Sequence, residues 1–382
     1  MTFFKTVCRW SFLALSKIGA RLLLPKLTSN NYSGRIHRIL IYADMGIGNM
    51  ILFTPTLQSI RNQFPKANIT LLTGKSGCDQ VVECASLVDE VLKMKYSLFD
   101  VLTLANVVKR KEFDLLISSF LSGSKYLTLL TIFSRIPIRA GHCQSDDWPS
   151  PLDFLYNIQV KMNPGTHEVE RHLCLAECLE CRKTSYPIKL EVSQEDHDFA
   201  DKFFAENFSH GTKVLGISSG TSLAQNWKQW DIKKIAEVCD RSIDEFGVGI
   251  LLFGSSDLLP EQDLLSKHMR HDFVSCVGKT TIRQAVALIA KCDLMLASDT
   301  GLMHVGAAVG TSTLGIFGPT DHYRTRPWGE GNTIIRKEVS CSPCYTMTDL
   351  SASSAIQCLH HDCLNSITSL DVMLEIEKFI KK

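Results

Sequence analysis

From Arg38 onward, short apolar runs alternate with amphipathic stretches, the pattern of a parallel sheet covered by helices. The runs Ile39–Ala43, Ile69–Thr73, Glu90–Met94, Asp114–Ser118 and Ile138–Gly141 read as strands, with helical stretches such as Thr56–Gln63 and Leu98–Lys109 between them. Five such units complete one doubly wound domain. A polar, acid-rich stretch, Glu191–Glu206, leads into a second series: Val214–Ser218, Gly249–Phe253, Phe273–Cys276, Leu294–Ser298 and Thr313–Phe317. The predicted layout is an N-terminal segment 1–37, an α/β domain 38–190, a linker 191–212, a second α/β domain 213–366 and a terminal helix 367–382. In that helix, Ser369–Ile380, Glu375, Lys378 and Lys381 form a wet face, and Leu370, Met373, Leu374 and Ile376 an apolar one.

Composition narrows the class. A chain of 382 residues exceeds one ordinary core, so two Rossmann-like lobes facing a cleft are expected. A net charge of +1 gives no footprint for nucleic acid, which is not expected as a partner. The 14 cysteines are scattered among core-like positions such as Cys178, Cys239 and Cys292, and most of them read as buried reduced thiols. Before Asp44 the chain carries Lys5, Arg9, Lys17, Arg21, Lys26, Arg35 and Arg38 with no acid, interleaved with Phe3, Phe4, Trp10, Phe12, Leu13, Leu15 and Leu22 to Leu24. The uncharged run Trp10–Ser16 is too short to span a bilayer, and a basic amphipathic helix lying on anionic lipid is expected. Its plainer counterpart is a helix packed on the domain.

The strongest local signal is Ser298-Asp299-Thr300-Gly301-Leu302-Met303-His304, set between a strand and the small-residue helix Val305–Val309. A glycine turn opening a helix aims backbone N–H groups at one spot, where the helix dipole favours an anion. Asp299 can cap that helix, and His304 lies about one turn in, near the same mouth. Facing it, Ser218-Ser219-Gly220-Thr221-Ser222 follows a strand and precedes Lys228-Gln229-Trp230. There, glycine and small hydroxyls allow close approach to phosphate oxygens, and Lys228 supplies the charge for a diphosphate. A third stretch, Gly315–Asp321, ends a strand in a Gly-Pro turn followed by Arg324, Arg326 and Trp328. The loop Asp44-Met45-Gly46-Ile47-Gly48-Asn49 starts like a dinucleotide fingerprint but lacks its third glycine, which disfavours a nicotinamide enzyme. Gly46 and Gly48 still permit an acceptor to approach the backbone.

Three other patterns compete. Gly216-Ile217-Ser218-Ser219-Gly220, with Asp299 and His304 following in order, matches a serine hydrolase of the α/β type. Against it, a polar loop with Trp227 and Lys228 intervenes before the helix, and Asp299 and His304 share one turn. His167 and His172 are five apart, so on a helix they point about 140° away from each other and cannot chelate one metal as an i, i+4 pair would. The spacing of Cys341, Cys344, Cys358 and Cys363 is irregular for zinc and favours free thiols over a zinc site or a disulfide.

Taken together, these motifs resemble glycosyltransferase family nine, the lipopolysaccharide heptosyltransferases. The resemblance runs from about Arg38 to Ile367 and is carried by Met45-Gly46-Ile47-Gly48-Asn49 with Thr54-Pro55, His167–Arg171, Gly220, Lys228-Gln229-Trp230, Asp299–His304 and Phe317–Asp321. It implies a GT-B fold and inverting transfer of a sugar, heptose in the first instance, from a nucleotide-sugar such as ADP-heptose to a lipid-linked core glycan. It also implies a metal-independent enzyme without a cofactor, on the cytoplasmic face of a Gram-negative inner membrane. It assigns diphosphate contacts to Thr300, Gly301, Lys228, Thr221 and Ser222, places Asp299 and His304 at the phosphate and sugar end, and gives the nucleoside to Asp257 or Glu261.

One position departs from the family. Asn49 stands where those enzymes carry the aspartate proposed as base, and an amide cannot accept the proton. Asp44, on the same loop, is the candidate replacement. Without one, the chain would be a nucleotide-sugar-binding protein with little turnover.

Overall fold

The computed structural model describes residues 2–25, 36–74, 77–119, 125–143, 152–161, 163, 165–182, 187–220, 223–345 and 357–381. Thr221, Ser222, Lys26 and Arg35 lie outside them. The chain divides into two compact units, 1–46 with 53–186, and 47–52 with 187–382.

The N-terminal unit contains α1 Thr2–Leu23, β1 Arg38–Tyr42, α2 Ile47–Gln63, β2 Asn68–Thr73, α3 Cys78–Ala85, β3 Glu90–Lys93, α4 Leu98–Arg110, β4 Leu115–Ser118, α5 Lys125–Ser134, β5 Ile138–Cys143, β6 Ile158–Lys161 and α6 Glu168–Glu177. The first turns of α2, residues 47–52, belong by their packing to the other unit. Its six parallel strands run in the order β3-β2-β1-β4-β5-β6. The C-terminal unit holds α7 Gln194–Asn207, β7 Val214–Ser218, α8 Ile232–Phe246, β8 Gly249–Leu252, α9 Leu259–His268, β9 Val274–Ser275, α10 Ile282–Ala290, β10 Leu294–Ser298, α11 Gly301–Val309, β11 Thr313–Ile316, α12 His322–Thr325, β12 Thr333–Ile335, α13 Asp362–Asn365 and α14 Ser369–Ile380. Its parallel order is β12-β11-β10-β7-β8-β9, the same topology repeated.

Both sheets are covered on two faces, which is why their central strands are continuous apolar runs: β4 and β7 are buried throughout. Helix ends follow side-chain chemistry. Ser97, Ser193, Asp231 and Thr281 accept N–H groups of the first turns of α4, α7, α8 and α10, and α8 stops at Gly247 in the left-handed conformation.

The structure differs from the sequence expectations at several places. Two of the four edge strands, β6 and β12, are short and partly polar, below what an apolar run can signal. Helix α2 begins at Ile47, nine residues ahead of the expected Thr56, and carries Pro55 inside it. Burial of Met50, Ile51, Leu52 and Phe53 outweighs the propensity of proline for a first turn. Residues 191–212, expected as a linker, carry α7, whose Asp196 pairs with Arg283 at 2.9 Å.

The terminal helix buries Val372, Met373, Ile376 and Ile380 in the C-terminal core, while Leu370 and Leu374 are 55% and 50% exposed. The packed stripe is therefore rotated from the expected one. Accordingly, Ile376→Ala should cost about 2–5 kcal/mol and Leu374→Ala less than about 0.5 kcal/mol in urea unfolding; equal costs would contradict this orientation.

Candidate active site

In each sheet the strand order reverses once, between β1 and β4 and between β7 and β10, and such switch points open a crevice at the carboxyl ends of the strands. The sequence expectation set the Gly220 and Gly301 turns opposite each other. They are instead neighbours on one sheet edge: Ala297 pairs with Ser218, and the Ser298 hydroxyl donates to the Ser219 carbonyl at 3.1 Å.

Helix α11 starts directly at Gly301, earlier than Val305, and Thr300 at its N-cap makes no side-chain cap. The first amides of α11 thus keep no side-chain acceptor from Thr300, and the buried Thr300 hydroxyl has no hydrogen-bond partner among the described residues. Lys228, at the end of the 3-10 turn Leu223–Lys228, holds its ammonium 3.3 Å from Asp299 Oδ2, the two side chains being 11% and 9% exposed. It also lies over the Trp227 ring at 5.3 Å and the Tyr345 ring at 5.6 Å.

Tyr345 is a residue the sequence did not single out. The Gly318-Pro319 turn after β11 fixes it: the Pro319 carbonyl accepts the N–H groups of Cys344 and Tyr345, both at 2.9 Å, and the Gly318 carbonyl accepts the Ser342 hydroxyl at 2.6 Å. Tyr345 contacts Trp227 at 5.1 Å between ring centroids and lies under the Arg324 guanidinium at 5.8 Å. Two further buried polar groups beside it, Trp227 Nε1 and the Thr320 hydroxyl, lack partners among the described residues. Orphaned polar groups around a caged ammonium are what an oxygen-rich anion would satisfy.

Glu261 meets the same edge. It accepts the Ser219 hydroxyl at 2.8 Å, and burial raises its carboxyl above the usual range against the opposing pull of Ser219 and Gln229. A Cβ on Gly220 would lie 2.5 Å from Leu258 Cδ1 and 2.6 Å from Glu261 Oε2, so a side chain there would have to displace both. Asp257, the other acidic candidate, is exposed and accepts from the neighbouring Ser255 hydroxyl. His304 is buried in α11. Residues 47–52, which pack with this unit, set Gly48 against it: a Cβ on Gly48 would meet His304 Cδ2 at 2.8 Å and Gly301 Cα at 3.3 Å. Asn49 follows, half-buried, and Gly46 is exposed.

Within the N-terminal unit, Asp44 lies in the loop just beyond β1. It accepts the Gly74 N–H at 3.2 Å and the Tyr42 hydroxyl at 3.4 Å, and the Tyr96 hydroxyl is bonded to it too. Deeper lies a polar cluster. Arg171 and Glu168 pair at 2.8 Å, each side chain 3% exposed, and the rings of His142 and His172 stand 6.1 Å apart. Burial, and then neighbouring positive groups, pull both imidazoles down to about 3, so they are neutral. His167 caps α6 through Nδ1, and His172 faces the interior, as the five-residue spacing requires.

Cys341, Cys344, Cys358 and Cys363 form no disulfide. Among the described residues no group of three His, Cys, Asp or Glu side chains is arranged to hold a metal.

Residues 101–354 match the family model of glycosyltransferase family 9 (heptosyltransferase). The chain belongs to this family. It is 25% identical over 296 residues to the lipopolysaccharide core heptosyltransferase OpsX of Haemophilus influenzae, covering 76% of this chain and 81% of that one. It is 26% identical over 325 residues to lipooligosaccharide heptosyltransferase 2 of Haemophilus ducreyi, covering 78% and 88%. Among solved structures, a family 9 glycosyl transferase from Veillonella parvula aligns with a TM-score of 0.78 at 20% identity, covering 90% of this chain and 97% of that one. The ADP-heptose lipopolysaccharide heptosyltransferase II of Escherichia coli aligns with a TM-score of 0.73 at 21% identity over 90% and 98%.

The fold is therefore GT-B and the family 9 chain is a glycosyltransferase. The hydrolase pattern around Ser218 is incidental: Asp299, its would-be triad acid, is committed to Lys228.

Two measurements follow. Lys228→Ala should raise the Kd for inorganic pyrophosphate by about 10- to 150-fold in calorimetry, the worth of a charged hydrogen bond; an unchanged Kd would remove Lys228 from the anion site. The neutral histidines make stability pH-dependent. Their folded pKa lies below the unfolded value, so the contribution is full above about 6.5 and lost as pH falls toward 3. Unfolding free energy should drop by up to about 2 kcal/mol per histidine between pH 6.5 and 5, and His172→Phe should remove its share.

Proposed function

We propose that this glycosyltransferase moves heptose from ADP-heptose, with inversion, onto a lipopolysaccharide core or related surface glycan. The observation that carries the reading is the caged Lys228 ammonium beside the amide end of α11 at the β7–β10 switch point. A diphosphate there would exchange Asp299 for a doubly charged partner and satisfy the Thr300 hydroxyl. With Lys228 and the α11 amides supplying the counter-charge, the transfer proceeds without a metal. Gly301, Thr221 and Ser222 complete the diphosphate contacts, and His304 stands at the sugar end. Glu261, and not the exposed Asp257, accepts the ribose hydroxyls; its burial beside Gly220 supports that choice. The relatives whose names specify lipopolysaccharide core and lipooligosaccharide support heptose and a lipid-linked acceptor.

In the reaction the acceptor oxygen attacks the anomeric carbon, the bond from that carbon to the β-phosphate oxygen breaks, and ADP departs. The hydroxyl proton goes to Asp44. Because Asn49 cannot serve, Asp44 is the carboxylate on this loop, held by the Gly74 amide and two tyrosines. Gly46 and Gly48 leave room for the acceptor chain.

The enzyme works peripherally on the cytoplasmic face of a Gram-negative inner membrane, through α1. No described helix is long and apolar enough to cross a membrane, and α1 exposes both leucines and cations.

Incubation with ADP-heptose and a heptose-deficient core acceptor should give a product one heptose heavier, with inverted anomeric configuration by NMR. UDP- and GDP-sugars should give none. Binding of ADP-heptose without product from any core acceptor would instead establish the binding-protein reading that Asn49 raises. Asp44→Asn should lower kcat by about 10²–10⁴-fold at unchanged donor KM; normal turnover would exclude Asp44 as base.

A further inference from the structure

We propose that the N-terminal unit carries a second site, a pocket beneath α1 that takes the headgroup phosphate of an anionic lipid. A cavity of about 780 Å³ lies between α1, the start of β5 and the Phe154–Asn157 turn, lined by Lys17, Arg21, Arg139, Phe154, Tyr156 and Asn157 among others. Three cations face it, and among the described residues no carboxylate lines it.

Its floor is unusual. Arg139 is 4% exposed, yet among the described residues its guanidinium donates only to carbonyls: Leu155 at 2.7 Å, Ile136 at 2.6 Å, Pro137 at 2.9 Å and Pro25 at 3.4 Å. Burial pulls its pKa down to about 10, which leaves it charged at neutral pH. Carbonyl dipoles orient the group without neutralising it. A buried charge with no counter-ion is costly to keep, and an anion entering the cavity would supply what the fold omits.

Helix α1 indicates the source of that anion. Leu13, Ser16 and Ala20 pack on the unit, whereas Leu15, Ile18 and Leu22 are 69%, 56% and 77% exposed along the opposite face. At 100° per residue, Lys17 and Arg21 fall on a shoulder about 90° from the packed face and about 120° from the exposed apolar one. If the apolar stripe sinks into the acyl boundary of a bilayer, that shoulder and the mouth beside it stand at headgroup level. A free phosphate would use the cations but leave the apolar stripe without a purpose; a lipid uses both.

The site rests on the peripheral-membrane reading above, and the test separates the two. Full-length protein is sedimented with vesicles of phosphatidylcholine alone, with phosphatidylcholine carrying phosphatidylglycerol, and with phosphatidylcholine carrying oleate at matched surface charge. The phosphatidylglycerol vesicles should bind at least about fivefold more tightly than the oleate ones, and Arg139→Gln should abolish that preference. Lys17→Gln with Arg21→Gln, both on the exposed shoulder, should do the same if the Arg139 variant fails to fold. Leu15→Ser with Ile18→Ser should release the protein from every vesicle. Equal binding to phosphatidylglycerol and oleate vesicles overturns the pocket and leaves the peripheral reading standing, whereas no binding to any vesicle overturns both. Saturable binding of inorganic phosphate, lost in Arg139→Gln and unaccompanied by any phospholipid preference, would assign the pocket to a soluble anion and overturn the lipid proposal.

Discussion

The candidate anion site of the C-terminal unit is organised around one ammonium ion kept almost out of water. Lys228 is held by Asp299 and by the faces of Trp227 and Tyr345, so its charge is fixed in place before any ligand arrives. A flexible surface lysine would lose rotamer freedom on binding; this one has already lost it. The pairing with Asp299 also offsets the charge, because an isolated cation at that depth would be unstable. The turn after β11 exists in service of this arrangement. Its carbonyls clamp the segment that delivers Tyr345, and Gly318 is glycine because a Cβ would run into Leu364 at 2.4 Å.

The N-terminal unit repeats the topology and inverts the electrostatics. The carboxyl end of its β1 presents Asp44, a carboxylate held by an amide and two phenols, instead of a cation. In the same unit, Arg171 and Glu168 form a buried ion pair and the neighbouring histidines stay uncharged. One unit thus presents a caged cation, and the other a carboxylate, at the carboxyl ends of its strands.

At its start, α1 follows a third logic. Two opposite faces of the helix carry apolar residues, one packed and one bare, with cations between them. A helix that served only the fold would have a polar outer face. Together with the uncompensated Arg139, this gives the unit a positive, apolar-rimmed side distinct from the carboxyl edge of its sheet.

What the sequence determined by itself was whatever depends on local pattern. Parallel strands buried on both faces must be apolar runs, so β7 and β10 were legible to the residue and the α/β class followed. A glycine turn between a strand and a helix marked the candidate anion site, and Lys228 followed closely enough on the neighbouring Gly220 turn to be proposed with it. Tertiary structure decided what pattern cannot encode. Edge strands β6 and β12 are defined by a neighbour and not by their own composition. Helix α2 ran through Pro55 because burial of its first turns outweighed a local stop signal, and the packed stripe of α14 was chosen by the core it covers. Tyr345 joined the site from 117 residues beyond Lys228 through backbone hydrogen bonds to Pro319, and Glu261 was separated from Asp257 by burial alone. Hydrophobic period and turn chemistry act within a few residues, whereas burial and charge compensation are properties of the assembled neighbourhood.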